Sequence, residues 1–254
     1  VAATGAAAAG ALKVDFDGLV VALSRRGAVG HIVETFFAAE IAQSLAALGR
    51  LGVPADDDLV EALSVRAATE GIFKGTDARN LVELVQGLAT LGVTPAKWAP
   101  ALDQIAQAVT VQAQLYSLNQ DDVADLLEAY GKVGYRSEWL LVRSAARIMT
   151  PVFLARIAPR HVAKIVTALA TAHFRDTALL DTLSANLLRL NDRMVITPDQ
   201  ASAVVQGYLS LGLADAKLLR VLAPICEQAQ DEEEEAGEGG SSEGEDDDDV
   251  AMGT

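Results

Sequence analysis

Apolar residues recur along this chain at helical spacing and with a long internal period. Five segments of thirteen residues align without gaps: 41–53, 81–93, 123–135, 162–174 and 201–213. Each holds a marker position, and the markers are Gly52, Gly92, Gly134, His173 and Gly212. The markers lie 40, 42, 39 and 39 residues apart. A period of this length is typical of repeat proteins in which each unit buries its apolar face against the next.

Within each segment the positions 11, 8, 7, 4 and 1 before the marker are almost all apolar. This spacing places the side chains on one face of an α-helix, whereas a strand would alternate. The position five before the marker is always small: Ala47, Gly87, Ala129, Ala168 and Gly207. A small residue in mid-helix predicts that a neighbouring helix backbone approaches closely there, since glycine otherwise costs ~1 kcal/mol relative to alanine.

The marker itself is predicted to end the helix. Glycine adopts the left-handed conformation of a helix C-terminus without a steric penalty. His173 departs from this rule, and we interpret it as a strained or differently capped turn rather than as a catalytic residue. Residues suited to a helix start follow each marker: Pro54, Pro95, Ser137, Asp176 and Asp215. Each unit is therefore predicted to be helix, short turn, helix.

The predicted fold is all-α: a right-handed α-solenoid of about five helix–turn–helix repeats of ~40 residues, with a disordered acidic C-terminal tail. We expect the repeat domain to span residues 13–230, after a disordered Ala-rich segment at 1–12. Residues 231–254 carry 12 acidic and no basic side chains, so mutual repulsion predicts disorder. This tail is interpreted as plainly solvated, as a dock for a basic partner, or as a mimic that keeps RNA from the wrong surface.

Charge is distributed unevenly along the rest of the chain, although the net charge is −15. Residues 1–135 carry 9 basic and 16 acidic side chains, whereas residues 136–220 carry 11 and 6, a balance of +5. Cys226 is the single cysteine and is interpreted as a small buried apolar residue, with no disulfide. No apolar run is long enough to predict a membrane span.

Catalytic motifs are not found in the sequence: it has no P-loop, no GxSxG and no HExxH. The histidines His31, His161 and His173 fall in separate units and match no ligand spacing, and His31 is expected to be partly exposed. We therefore predict a protein that is not an enzyme, with no cofactor, no metal and no small-molecule substrate.

A basic run in the second half of the body is the candidate functional site. Its members are Arg136, Arg143, Arg147, Arg156, Arg160 and Lys164. Arg143 and Arg147 are four residues apart and are expected to share a helix face, as are Arg160 and Lys164. On neighbouring units they would form a strip that binds RNA phosphates, and the alternative is an ordinary solvated face.

Two tryptophans lie near the starts of second helices. Trp98 is six residues after its marker, and Trp139 is five residues after its own. We expect them to pack between helices, although an exposed tryptophan would be able to stack on a base.

The pattern of a leucine-rich helix ending in Leu-Gly, followed by a second helix that begins with proline, tryptophan or a polar residue, resembles the octotricopeptide repeats. It is also similar to the heptatricopeptide and FAST-kinase-like RAP proteins. Residues 87–98 and 179–212 carry the resemblance best, and it covers roughly residues 37–229. It implies a role in RNA stability, processing, editing or translation in an organelle, the mitochondrion or alternatively the chloroplast.

Two functions are consistent with these features. The first is a non-catalytic helical-repeat subunit or assembly scaffold of a mitochondrial ribonucleoprotein, such as the mitoribosome or an RNA-editing complex, which contacts RNA and other protein subunits. The second is a purely protein–protein scaffold or accessory subunit of a respiratory or other organellar assembly. The first gains if the basic residues line one groove, and it loses if they scatter or pair with carboxylates.

Overall fold

Helices form all the regular secondary structure in the computed structural model, which describes residues 25–26, 30–191, 193–213 and 215–238. Within these ranges there are thirteen helices and no strand. Their bounds are α1 Gly30–Val33, α2 Ala38–Arg50, α3 Asp58–Ala67, α4 Ala78–Leu91, α5 Pro95–Thr110, α6 Gln112–Ser117, α7 Gln120–Val133, α8 Glu138–Ile148, α9 Pro151–Leu154, α10 Pro159–Thr171, α11 Thr177–Asn191, α12 Pro198–Ser210 and α13 Ala216–Glu238.

The long helices form two rows. Helices α2, α4, α7, α10 and α12 hold the five aligned segments, and each packs against the next to make the first row. Helices α3, α5, α8, α11 and α13 are the second helices of the units and make the second row. The short helices α6 and α9 connect a second-row helix to the next first-row helix. The predicted all-α solenoid of stacked helix pairs is therefore confirmed.

The apolar stripe of each first-row helix lies in the core between the rows. In α4, Leu81, Leu84, Val85 and Leu88 are fully buried and Leu91 is 8% exposed. The core continues through all five units, from Val33 to Leu222. Burial of one such side chain contributes about 2 kcal/mol, and each unit buries its stripe against the neighbouring units. A unit therefore obtains most of its stability from its neighbours.

Small residues bring the first-row helices into backbone contact. A Cβ atom added to Gly87 of α4 would lie 2.8 Å from both the Cα and the backbone nitrogen of Ala46 in α2. A Cβ atom on Gly207 of α12 would lie 2.5 Å from a methyl carbon of Val166 in α10. Real Cβ atoms do not approach other atoms this closely, so the prediction of tight stacking at this repeat position holds for these two helix pairs.

All five markers end their helices in the left-handed conformation. Their φ angles are 67° at Gly52, 65° at Gly92, 74° at Gly134, 50° at His173 and 68° at Gly212. After each marker, the next backbone N–H donates to the carbonyl four residues before the marker, as in Phe174 to Leu169 at 2.9 Å. His173 is thus capped in the same way as the glycines, and it differs in the strain that a side chain adds at positive φ.

The domain boundary predicted between residues 230 and 231 stays a prediction, and helix α13 continues through residues 231–238. Glutamate has a high helix propensity, and this run follows a helix that is already formed. The segments predicted to be disordered at 1–12 and 239–254 lie outside the described residues. In the described part of the chain, no helix has both the length and the apolarity needed to cross a membrane.

We expect Gly87→Ala to destabilise the protein by about 1–3 kcal/mol, because the added methyl group meets the backbone of α2 and forces the helices apart. The matched control is Gly131→Ala in α7, where the added Cβ would meet its nearest neighbour at an ordinary 3.5 Å. Urea denaturation of the two variants measures the difference. An equal loss in both would contradict the close approach at Gly87.

His173→Gly is expected to stabilise the protein by about 0.5–1 kcal/mol, because glycine adopts the left-handed conformation without strain. Gly92→Ala is the reverse change at a marker where an added Cβ meets nothing within 4 Å, and it should destabilise by about 1 kcal/mol. Thermal unfolding of both variants tests the pair. A lower melting temperature for His173→Gly would show that the histidine side chain makes a stabilising contact.

Candidate nucleic-acid interface

The six basic residues of the predicted strip divide between the two rows. Arg143 and Arg147 lie in α8, which packs against α5 and α6, whereas Arg160 and Lys164 lie in α10, which packs against α7 and α12. The other two, Arg136 and Arg156, precede α8 and follow α9, respectively. The prediction of one continuous strip is therefore wrong, because consecutive basic residues of the sequence belong to different layers of the fold.

The two first-row residues are paired with carboxylates of α7. The Arg160 guanidinium donates to both Asp121 oxygens at 3.0 and 3.3 Å. Lys164 Nζ lies 2.6 Å from Asp125 and 3.0 Å from Glu128. Burial alone would lower the pKa of Lys164, but the hydrogen bonds to Asp125 and Glu128 raise it above its ordinary value. Carboxylates of the protein balance these charges, so the two residues offer phosphates less net attraction than unpaired cations would.

These pairs belong to a ladder that joins α4, α7 and α10. Arg79 of α4 contacts Asp122 of α7 at 3.5 Å. His161 of α10 accepts a hydrogen bond from the Ala158 backbone N–H at Nδ1, so Nε2 carries the proton and faces Asp121 at 2.8 Å. The hydrogen bond from His161, with a further one from Arg160, holds the pKa of Asp121 below its usual value. The ladder thus links three consecutive first-row helices through side chains.

Arg147 is buried and has a structural role. Its Nη1 atom donates to Thr150 Oγ1 at 3.2 Å, and Nη2 faces the backbone carbonyls of Tyr116 and Leu118 at 3.5 and 3.4 Å. The guanidinium also lies over the rings of Tyr116 and Phe153, at 4.8 and 5.3 Å. It thus holds the C-terminal end of α6, where the helix dipole favours a cation. Arg143 and Arg147 lie one turn apart on α8, as expected, but Arg147 is 8% exposed and does not present its charge to solvent.

Three members of the predicted strip are both exposed and without an ion pair among the described residues. Arg136, Arg143 and Arg156 form no ion pair with any residue that the structure describes. Arg143 lies over the ring of Trp139, 4.6 Å from its centroid. The positive charges of these three arginines are not balanced by a carboxylate partner among the described residues, so they can attract phosphates.

The two tryptophans have opposite environments. Trp98 is 2% exposed and packs in the core, as expected, whereas Trp139 is 54% exposed, so the expectation that it packs between helices is wrong. Trp139 Nε1 donates to Thr110 Oγ1 at 2.7 Å, which fixes the edge of the ring against the end of α5. Trp139 therefore presents a large apolar surface to solvent in a defined orientation.

Other exposed side chains lie on α8, on the helices α6 and α9 that contact it, or at the ends of these helices, and we call this set the α8 surface. Its members are Val111, Tyr116, Trp139, Val142, Arg143, Met149 and Val152. Tyr116 was missed by sequence reasoning, because α6 lies between the aligned segments and belongs to no repeat position. An exposed group of apolar side chains with arginine is a feature of binding surfaces.

A groove on the first row is the other candidate. It has a volume of about 610 Å³ and crosses α2, α4, α7 and α10. Its lining contains equal numbers of acidic and basic residues: Glu83, Asp125 and Glu128, and Arg50, Lys132 and Lys164. Because its two lysines are paired with its acidic residues, it offers phosphates little net attraction. The α8 surface is the better candidate for nucleic acid.

Comparison with known proteins identifies one family. Residues 96–234 match the model of a family described as RNA-editing substrate-binding complex 6 protein. The matched segment is more than half of the chain, and it includes α5 through most of α13 and the whole α8 surface. No curated protein matches the chain.

Arg147→Met should destabilise the protein by about 1–3 kcal/mol, because it removes a charged hydrogen-bond donor from the end of α6. Arg143→Met, one turn away in the same helix and exposed, should change stability by less than about 0.5 kcal/mol. Urea denaturation of both variants measures the contrast. Similar stabilities would contradict the structural role of Arg147.

Proposed function

The chain belongs to the family of RNA-editing substrate-binding complex 6 proteins, and from this premise we propose that it is a non-catalytic subunit of an RNA-editing substrate-binding complex. The two-row helical stack supports this function, because a solenoid offers long surfaces on which protein and RNA partners can bind side by side. The family description favours an RNA-editing complex over the mitoribosome or a respiratory assembly.

The proposed location is the mitochondrion. The resemblance of the repeat to octotricopeptide and FAST-kinase-like proteins supports an organelle, and a role in RNA editing is compatible with it. In this setting the chain would work among other protein subunits of the complex, with the first-row ladder keeping its helices aligned as partners bind.

RNA contact is proposed at three arginines of the α8 region, Arg136, Arg143 and Arg156. The single observation that carries this proposal is their exposure without a carboxylate partner among the described residues. Guanidinium groups bind phosphate through paired hydrogen bonds, and free positive charge supplies much of the affinity for nucleic acid. Arg147, Arg160 and Lys164 are left out of the proposed contact because protein groups already occupy them.

A protein scaffold without RNA contact is the second candidate. It is favoured by the exposure of Val142 and Val152, which are 51% and 65% exposed at the same surface. Aliphatic side chains in this number are more common at protein–protein interfaces than at contacts with phosphate.

The double variant Arg143→Glu/Arg156→Glu tests RNA contact. Ultraviolet crosslinking of the tagged protein in cells, followed by recovery of bound RNA, should give about tenfold less RNA than wild type, because two phosphate contacts become repulsive. The matched control is Arg50→Glu/Lys74→Glu, which makes the same charge change at two exposed residues of the N-terminal half.

An equal loss of RNA in the two double variants would contradict the assignment to these arginines. Stable recovery of protein subunits from wild type, with no crosslinked RNA, would favour the scaffold instead.

A further inference from the structure

Trp139 is held as a platform with a fixed orientation. Its ring is anchored at one edge by the hydrogen bond to Thr110, and the Arg143 guanidinium lies 4.6 Å from its centroid. Over half of the side chain is nevertheless exposed. A flat, apolar and already ordered ring loses little conformational entropy when a planar ligand stacks on it.

Tyr116 has an equivalent arrangement on the neighbouring helix α6. Its side chain is 48% exposed, and the Arg147 guanidinium lies 4.8 Å from the ring centroid. Arg143 and Arg147 are one helical turn apart, about 6 Å along the axis of α8. The two rings, one on α8 and one on α6, therefore each lie against an arginine of α8, and the two arginines are on successive turns of that helix.

Aromatic faces and free arginines together match the chemistry of single-stranded nucleic acid. Each base of a single strand has an open face that can stack on an aromatic ring, whereas a duplex covers those faces. Phosphates flank every base, and Arg136, Arg143 and Arg156 lie before, within and after the helices of this surface with exposed guanidinium groups. Glu138 is the single acidic residue of the segment 136–156, so the segment carries a net positive charge.

We propose that the α8 surface binds single-stranded RNA by stacking bases on Trp139 and Tyr116, while the exposed arginines bind the adjacent phosphates. This inference rests on the proposed RNA contact and adds the strandedness of the RNA and the two residues that hold its bases. Val142 lies beside Arg143 on α8 and extends the apolar area available to a base or ribose.

The first experiment is a fluorescence titration of the full chain with a single-stranded oligouridylate of about 12 nucleotides. The chain has two tryptophans, and because Trp98 is buried, quenching by a stacked base reports on Trp139. Single-stranded RNA should quench the emission, and the same strand in a duplex should not. Trp139→Phe should lose the signal but keep the affinity, measured by fluorescence anisotropy of labelled RNA, within about threefold.

Alanine substitutions test each ring separately. Trp139→Ala and Tyr116→Ala should each weaken binding by on the order of tenfold. Leu209→Ala is the control, since Leu209 is also a large apolar side chain, 56% exposed, on α12. Far-UV circular dichroism confirms folding. If Trp139→Ala fails to fold, the affinity of Tyr116→Ala and the quenching of wild type by single-stranded but not duplex RNA still decide the question.

Two outcomes would overturn the inference, and they differ in what they imply for the proposed function. Wild-type affinity in both alanine variants, with RNA crosslinks still lost in Arg143→Glu/Arg156→Glu, would remove stacking and leave RNA contact standing. No binding of the oligouridylate by wild type, no effect of the arginine changes on recovered RNA, and loss of co-purifying subunits in Trp139→Ala would refute both. The α8 surface would then be a protein interface.

Discussion

The close approach of neighbouring first-row helices is the contact on which the rest of the structure depends. At Gly87 there is no room for a side chain because the backbone of Ala46 lies opposite, and at Gly207 the Val166 side chain fills the equivalent space. Rigid spacing then repeats the same geometry from unit to unit. It buries the leucine stripe and brings equivalent repeat positions of α7 and α10 into contact.

This alignment explains why the charged side chains of the first row form ion pairs with one another. Asp125 and Lys164 occupy the same repeat position in consecutive units and form a bridge of 2.6 Å. The ladder therefore neutralises the charge that would otherwise attract phosphate. The second row is organised differently, because α6 and α9 interrupt the repeat and Arg147 is needed to hold the end of α6. The neighbouring Arg143 stays exposed, and the first row acts as a scaffold while the second row presents the proposed contact surface.

A division of this kind suits a subunit of a large assembly. The helices of the first row are closely packed and their ends are capped by backbone hydrogen bonds. The α8 surface combines ordered aromatic rings with free guanidinium groups, so stacking would add to the electrostatic attraction for RNA. The same apolar side chains would also suit a protein partner, which would compete with RNA for the α8 surface. RNA would need the exposed arginines, whereas a protein partner would not.

The sequence by itself determined the repeat, the two helices of each unit and the helix ends at the four glycine markers, whereas the structure showed that His173 adopts the same left-handed turn. These features depend on the 3.6-residue period and on local backbone conformation, which neighbouring residues dictate. Only the tertiary structure decided which charges are free, because Asp121 and Asp125 lie 39 residues before Arg160 and Lys164. It also decided that Trp98 is buried and Trp139 is exposed. Their positions relative to the markers differ by one residue, and one residue turns a side chain by about 100° around a helix, which is enough to move it from core to solvent.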